Sequence, residues 1–221
     1  MLRIFDIGLS LIALAFLSPL LIPIALLLRL TGEGEILYRQ ERMGYNGEIF
    51  SLLKFATMLK NSPNIGTGTI TVNNDPRILP VGAFLRKTKI NELPQLLNIL
   101  GGSMSVVGPR PLTPETFNYY PTEIQKKITS VRPGLSGVGS IIFRNEEQII
   151  SQNLDAKSFY KQTIAPYKGR LEEWFATKSS TKVYFQVIYV TLWLIIFPSS
   201  KIAWKIFPDI PKCPKNLFNL L

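Results

Sequence analysis

The chain has no histidine, and its 221 residues include a single cysteine. Without histidine there is no Ser-His-Asp or Cys-His catalysis, no HExxH zinc site and no imidazole base. One cysteine excludes an internal disulfide and a cysteine-built zinc site. That residue, Cys213, lies in a Pro/Lys-rich tail and reads as an inert thiol. Acid–base or nucleophilic chemistry must therefore use carboxylates, lysine, tyrosine, hydroxyls or metal-bound groups. Acidic residues are themselves scarce, 15 against 25 Lys and Arg, which leaves a formal charge of +10. Such a charge suits an anionic partner: nucleic acid, an acidic membrane surface or a phosphorylated substrate. The basic residues are spread through apolar elements rather than gathered in an arm or an RNA motif, so nucleic acid is not expected.

A hydrophobic share of 46% and a mean hydropathy of +0.17 lean toward the membrane. Ile7 to Leu28 is almost wholly apolar and close to the roughly 20 residues that a span requires. The weakly basic start and the length of the run speak against a secretory signal. Ser18-Pro19 lies near its centre, with Pro23 one turn on. Each proline removes a backbone donor and should kink a helix, and Ser18 can bond a freed carbonyl. Two topologies stand: a kinked spanning helix, and a re-entrant helix-break-helix that returns to the face it entered. A second apolar run, Val183 to Phe197, suits either a buried helix or strand or a helix in the membrane interface. Tyr189 and Trp193 fit the headgroup level, and Lys182 and Lys201 flank the run.

Between these runs the fold reads as α+β, helix-dominated, with a small β-hairpin or sheet. Glu35 to Met58 predicts two strands about an Asn46-Gly47 turn. Asn61 to Asn74 is polar and reads as a loop. Pro80 to Leu85 opens a helix. Leu93, Leu96, Leu97 and Leu100 have helical spacing, with Pro94 in the first turn and Gly101-Gly102 as the stop. Pro121 to Ser130 predicts another short helix. Ser158 to Lys178 predicts an amphipathic one, broken near Pro166. The implied division is a membrane element over residues 1–32, a cytosolic catalytic domain over 33–182 and a membrane-associated segment over 183–221.

The densest stretch is Arg86 to Pro111, RKTKINELPQLLNILGGSMSVVGPRP. It combines cations, the carboxylate Glu92, an apolar helix and a Gly-Pro-Arg-Pro turn. A diphosphate needs its charge neutralised as it breaks, and Arg and Lys do this, Arg with a fork that fits phosphate. Lys54, Arg86, Arg110, Arg132 and Arg144 are the candidates. Pro111 and Pro133 stiffen the turns that carry Arg110 and Arg132. A carboxylate beside phosphate-binding cations can share a divalent metal with phosphate oxygens, and Glu92 is the candidate protein ligand.

Five blocks occur in order: Ser18-Pro19, Tyr38 to Met58, Asp75 to Leu100, Met104 to Leu112 and Val131 to Ser140. Together they resemble the signature of the bacterial sugar transferases, the small monotopic phosphoglycosyl transferases. The resemblance covers most of residues 1–145. It implies an enzyme of the bacterial plasma membrane, on its cytoplasmic face, held by a one-leaflet hairpin that breaks at Ser18-Pro19. It implies transfer of a sugar-1-phosphate from a UDP-sugar to undecaprenyl phosphate, with Mg2+, release of UMP and a role early in surface-glycan assembly. It also implies an Asp-Glu pair whose Asp attacks the sugar-bearing phosphorus. Oligomeric state stays open.

The chain departs from that pattern at the attacking residue. Asn91 stands where the family has its nucleophilic Asp, and an amide is neutral and a poor nucleophile. Ser103 and Ala56 replace a frequent acidic residue and a frequent Arg. Three accounts of Asn91 remain: another carboxylate (Glu92, Glu115, Glu146 or Glu147) attacks or supports direct transfer; the residue was introduced to stall the enzyme; or the protein binds substrate at the membrane without turnover.

Overall fold

The computed structural model describes residues 2–65, 75–153 and 155–218. Most of the expected loop at Asn61 to Asn74 thus lies outside the described residues. The chain opens with a long helix, α1 (Leu2–Leu30), followed by an antiparallel hairpin of β1 (Leu37–Met43) and β2 (Ile49–Phe55). The hairpin turns as anticipated at Asn46-Gly47, where both residues take positive φ. Next come α2 (Pro80–Lys87), a single 3-10 turn at Ile90–Glu92 and α3 (Gln95–Gly101), which Gly102 ends in the left-handed conformation.

The second half holds β3 (Ser105–Val107), α4 (Pro114–Phe117), α5 (Thr122–Thr129), β4 (Gly134–Ser136), α6 (Val138–Ile142), α7 (Glu146–Ser151) and α8 (Ala156–Phe159). It closes with α9 (Ala165–Lys178), α10 (Thr181–Ile196), α11 (Ile202–Ile206) and α12 (Lys215–Phe218). The expected break near Pro166 is instead a π turn at Tyr160–Ile164 that joins α8 to α9, with Pro166 tolerated in the first turn of α9. A second small sheet, the parallel pair β3–β4, had no clear sequence signal. It is three residues long on each side and closes on glycine. A Cβ on Gly134 would sit 2.0 Å from the Gly108 nitrogen, so only glycine permits this approach. The fold is helix-dominated α+β, as expected.

The main core gathers α5, α6, α9 and α10 around Ile164, Tyr167, Leu171 and Val187. The second apolar run forms a helix, α10, with one buried and one exposed apolar face. Tyr184, Val187, Val190 and Leu194 are buried, while Leu192, Ile195 and Ile196 are exposed.

In α1 the helix runs unbroken through Pro19 and Pro23, so the expected helix-break-helix is not seen in the chain path. The reason lies at Ser18. Pro19 deprives the Ala15 carbonyl of its donor, and the Ser18 hydroxyl supplies one instead, at 2.9 Å. Both ends of α1 rest on the same domain. Near its start Arg3 donates to the carbonyls of Ile99 and Leu100. One turn on, Asp6 is buried and accepts from Ser105 Oγ, Val106 N–H and Tyr184 Oη at 2.8–2.9 Å. Near its end Ile24 and Leu28 pack with Phe55 and Leu85. A helix that crossed a bilayer would carry one end away from the domain; here both ends are seated on it. The opposite face of α1 is apolar and bare, including Ile4, Phe16, Ile22 and Leu30.

Candidate active site

A cavity opens between the hairpin, the 3-10 turn and the α7–α9 region. The hairpin contributes by strand alternation. Tyr38, Gln40 and Arg42 share one face of β1, and Lys54 stands opposite Tyr38 on β2. The turn supplies Asn91 and Glu92. It is entered through Lys89, which takes the left-handed conformation (φ 60°), uncommon for a residue with a Cβ. Arg86 comes from the last turn of α2, Arg110 from the turn after β3, Glu146 and Glu147 from the start of α7, Tyr160 from the π turn and Lys168 from α9.

Six cationic side chains and three carboxylates therefore line one space: Arg42, Lys54, Arg86, Lys89, Arg110 and Lys168, with Glu92, Glu146 and Glu147. Glu92 is clamped. Its Oε1 accepts from Arg110 Nη2 at 3.0 Å and lies 3.9 Å from Lys54 Nζ. Burial pushes the Glu92 carboxyl up, but Arg110, Lys54 and Lys89 outweigh it and hold the group down at about 2. Lys54 is lowered to about 7, by burial first and by Arg42 next, with Glu92 opposing. Arg42 is lowered to about 10, again by burial and then by Arg110. Its fork is held by Gln40 Oε1 and by the Pro111 carbonyl at 3.0 Å. The remaining ion pairs are Arg86 with Glu147 at 2.6 Å and Lys168 with both oxygens of Glu146 at 2.6 and 2.8 Å.

Beneath the Arg110 turn sits Glu172, buried on α9. Its Oε1 accepts the Arg110 backbone N–H at 3.3 Å, while Oε2 has no partner among the described residues. Burial raises its carboxyl to about 7, against the pull of Lys168. Asn91 is buried too, and its Oδ1 likewise lacks a partner.

The structure thus brings Lys54, Arg86, Asn91, Glu92 and Arg110 to one cavity, as their blocks suggested. It places others outside the lining of that cavity. Arg132 donates to the Gly102 carbonyl at 2.9 Å and stacks over Tyr45. Arg144 donates to the Leu194 carbonyl. Pro133 lines a separate small cleft beside Pro109. In this structure all three make contacts that join elements. Pro111 contributes its carbonyl to Arg42 rather than a face to the cavity. Of the alternative carboxylates, Glu115 is outside as well, paired with Lys157 and Tyr119. Sequence reasoning missed Arg42, Lys89, Tyr160 and Lys168. Arg42 had a signal in the two-residue alternation with Gln40 and Tyr38. Lys168 had none, being one lysine on a helix far along the chain.

Comparison with known proteins agrees with this arrangement. The family profile described as bacterial sugar transferase matches residues 1–198. An exopolysaccharide production protein ExoY of Sinorhizobium fredii (strain NBRC 101917 / NGR234) is 37% identical over 158 residues, covering 65% of this chain and 70% of that protein. The UDP-glucose:undecaprenyl-phosphate glucose-1-phosphate transferase of Escherichia coli (strain K12) is 39% identical over 138 residues, 62% of this chain and 30% of that protein. The undecaprenyl-phosphate galactose phosphotransferase of Salmonella typhimurium is 35% identical over 159 residues, 65% of this chain and 33% of its own length. The chain therefore spans about a third of those two larger relatives. With a family profile that covers residues 1–198, the chain belongs to the bacterial sugar transferase family.

Proposed function

We propose that the protein is a transferase that moves a sugar-1-phosphate from a UDP-sugar to undecaprenyl phosphate and releases UMP. The setting is the cytoplasmic face of the bacterial plasma membrane, as an early membrane step of exopolysaccharide assembly. The observation that carries this reading is the clamp of Glu92 by Arg110 and Lys54 within a cavity that gathers four further cations. The UDP-sugar is a dianion and undecaprenyl phosphate carries up to two further charges, and a strongly cationic site is needed to hold both. The E. coli and Salmonella relatives are named for such transfers.

The residues divide the work. Arg110 and Arg42 present forks to phosphate oxygens, and Arg110 is set by its N–H on Glu172. Lys54 gains its proton as an anion arrives, because the bound phosphate replaces the water it lost. Mg2+ fits the donor set as a shared ligand. No group of three metal-binding side chains occurs among the described residues, so Glu92 and substrate phosphate oxygens would hold the ion, beside the unpartnered Asn91 Oδ1. When bound, the ion would neutralise charge on the diphosphate.

The character of α1 supports placement at the membrane. Its two ends are seated on one domain, which supports a chain that enters and leaves lipid on the same side, and its bare apolar face adjoins that domain. The test is UMP release from UDP-glucose, UDP-galactose, UDP-N-acetylglucosamine and UDP-N-acetylgalactosamine, with undecaprenyl phosphate in nanodiscs and a chelated control. Release that needs both the lipid and the metal supports the reading. Tight UDP-sugar binding without release would favour a binding protein, the role that Asn91 alone suggests.

A further inference from the structure

We propose that Glu146 is the attacking carboxylate that Asn91 cannot be, held in place by the buried ammonium of Lys168. This rests on the transfer reaction proposed above.

Three carboxylates line the cavity among the described residues, and their surroundings separate them. Glu92 is bound to Arg110 and faces Lys54. Its place between those two cations suits it to ordering them and to the shared metal ligand role, which leaves attack to another carboxylate. Glu147 is 49% exposed and pairs with Arg86 at the rim. Its charge is spread into water and its position is loosely fixed. Glu146 is 21% exposed, and its partner Lys168 only 2%.

Lys168 is the unusual half of that pair. A lysine is rarely sunk in a core unless an anion repays its lost hydration. Its Nζ lies 5.8 Å from the Phe143 ring centre and 5.9 Å from that of Tyr160, and both oxygens of Glu146 accept from it. The pair therefore fixes the Glu146 rotamer in the cavity wall. It also masks the negative charge that would otherwise repel a diphosphate. Arg110, which is bonded to Glu92, lies within the field of Glu146 as well, so the two carboxylates share one phosphate-binding guanidinium.

The chemistry balances without a further reactant. A Glu146 oxygen bonds to the sugar-bearing phosphorus, and the bond from that phosphorus to the UMP oxygen breaks. The electron pair leaves on UMP. The product is an acyl phosphate that carries the sugar on Glu146. An oxygen of undecaprenyl phosphate then bonds to the same phosphorus and expels the carboxylate. No net proton transfer is needed. As Glu146 loses its charge in the first step, Lys168 is freed to bond the phosphoryl oxygens.

The test uses the full chain in nanodiscs and the four UDP-sugars named above, labelled in the sugar and added without lipid acceptor. Quenching and peptide mass analysis should find the phosphosugar on the peptide that contains Glu146. Glu146→Gln should lose that adduct and at least a hundredfold in UMP release, while UMP affinity changes less than threefold. In that variant Asn91→Asp should restore release at least tenfold, because it returns a carboxylate to the cavity; a merely structural Glu146 would not be rescued this way. An adduct on Glu92 or Glu147 overturns the assignment. So does unchanged release in Glu146→Gln, or the absence of any adduct in a wild-type protein that turns over. If the wild-type protein releases no UMP from any of the four, the transfer reaction itself fails, and this assignment with it.

Discussion

Tyr184 donates a 2.8 Å hydrogen bond to Asp6, a residue 178 positions earlier in the chain. The bond fastens the first turns of α1 to α10, and Ser105 and Val106 add two more on the same carboxylate oxygen. Replacing Asp6 by Ala would leave three donors without an acceptor in a buried place. At about 1 kcal/mol for each lost bond, the loss should be about 3 kcal/mol or more. Thermal unfolding in detergent measures it, and Ser105→Ala, which removes one of the three, should cost about a third as much. Equal melting of Asp6→Ala and wild type would refute the clasp.

Arg110→Lys keeps the charge and discards the fork. Turnover should fall by about a hundredfold, the scale of losing one aimed donor to the transition state. Glu92→Gln should fall further, since it removes the anion that orders Arg110 and Lys54. Initial rates of UMP release decide both. Full activity in Glu92→Gln would remove that residue from the machinery.

Lys54 gives the site a pH dependence of known sign. With its value lowered to about 7, the empty site holds the ammonium below neutrality and loses it above. An anionic ligand prefers the charged form. UMP affinity should therefore weaken as pH rises from about 6 to about 8, and Lys54→Arg, which stays charged, should flatten the curve. Calorimetric titration across that range checks the slope.

Glu172 makes a separate statement about stability. Its folded value is raised from 4.5 to about 7. Across that window the folded state keeps a proton that the unfolded chain has already released. Stability therefore falls as pH rises from about 4.5 to about 7 and levels off above, by at most about 3 kcal/mol. Glu172→Gln should abolish the slope. Chemical denaturation in detergent at several pH values would show it, and an unchanged slope would assign the effect elsewhere.

Gly134→Ala tests the parallel pair. A methyl there meets the backbone of Gly108 at 2.0 Å, and backbone cannot yield as a side-chain tip can. The expected cost is about 3 kcal/mol or more, with misplacement of Arg110 two residues on. A folded variant with native activity would show that the two strands separate easily.

The parts of this architecture that were legible in sequence are those governed by short-range rules. The hairpin follows from Asn46-Gly47 and the stop of α3 from Gly102, since local conformation is set by neighbouring residues. Lys54, Arg86, Glu92 and Arg110 were found because they travel in dense blocks. What escaped depended on contacts between distant segments. Arg132 and Arg144 look like phosphate ligands on their own, but the fold gives them the carbonyls of Gly102 and Leu194. Lys168 enters the cavity only because α9, packed against α5 and α6, brings it to Glu146, and no residue near it announces that. The unbroken α1 depended on one hydroxyl taking over one carbonyl, a bond the sequence allowed without requiring.

The seating of α1 bears on how this protein can be handled. Its inner face covers Leu52, Ile99 and Met104 through Ala13 and Leu14, and its outer face is bare hydrocarbon. Anchor and wall are thus a single object. Cutting at residue 32 to obtain a soluble enzyme would open the core and strand the donors on Ser105 and Val106. A water-soluble form must instead be sought by exchanging outward residues such as Ile4, Phe16 and Ile22 for polar ones, with the helix left in place.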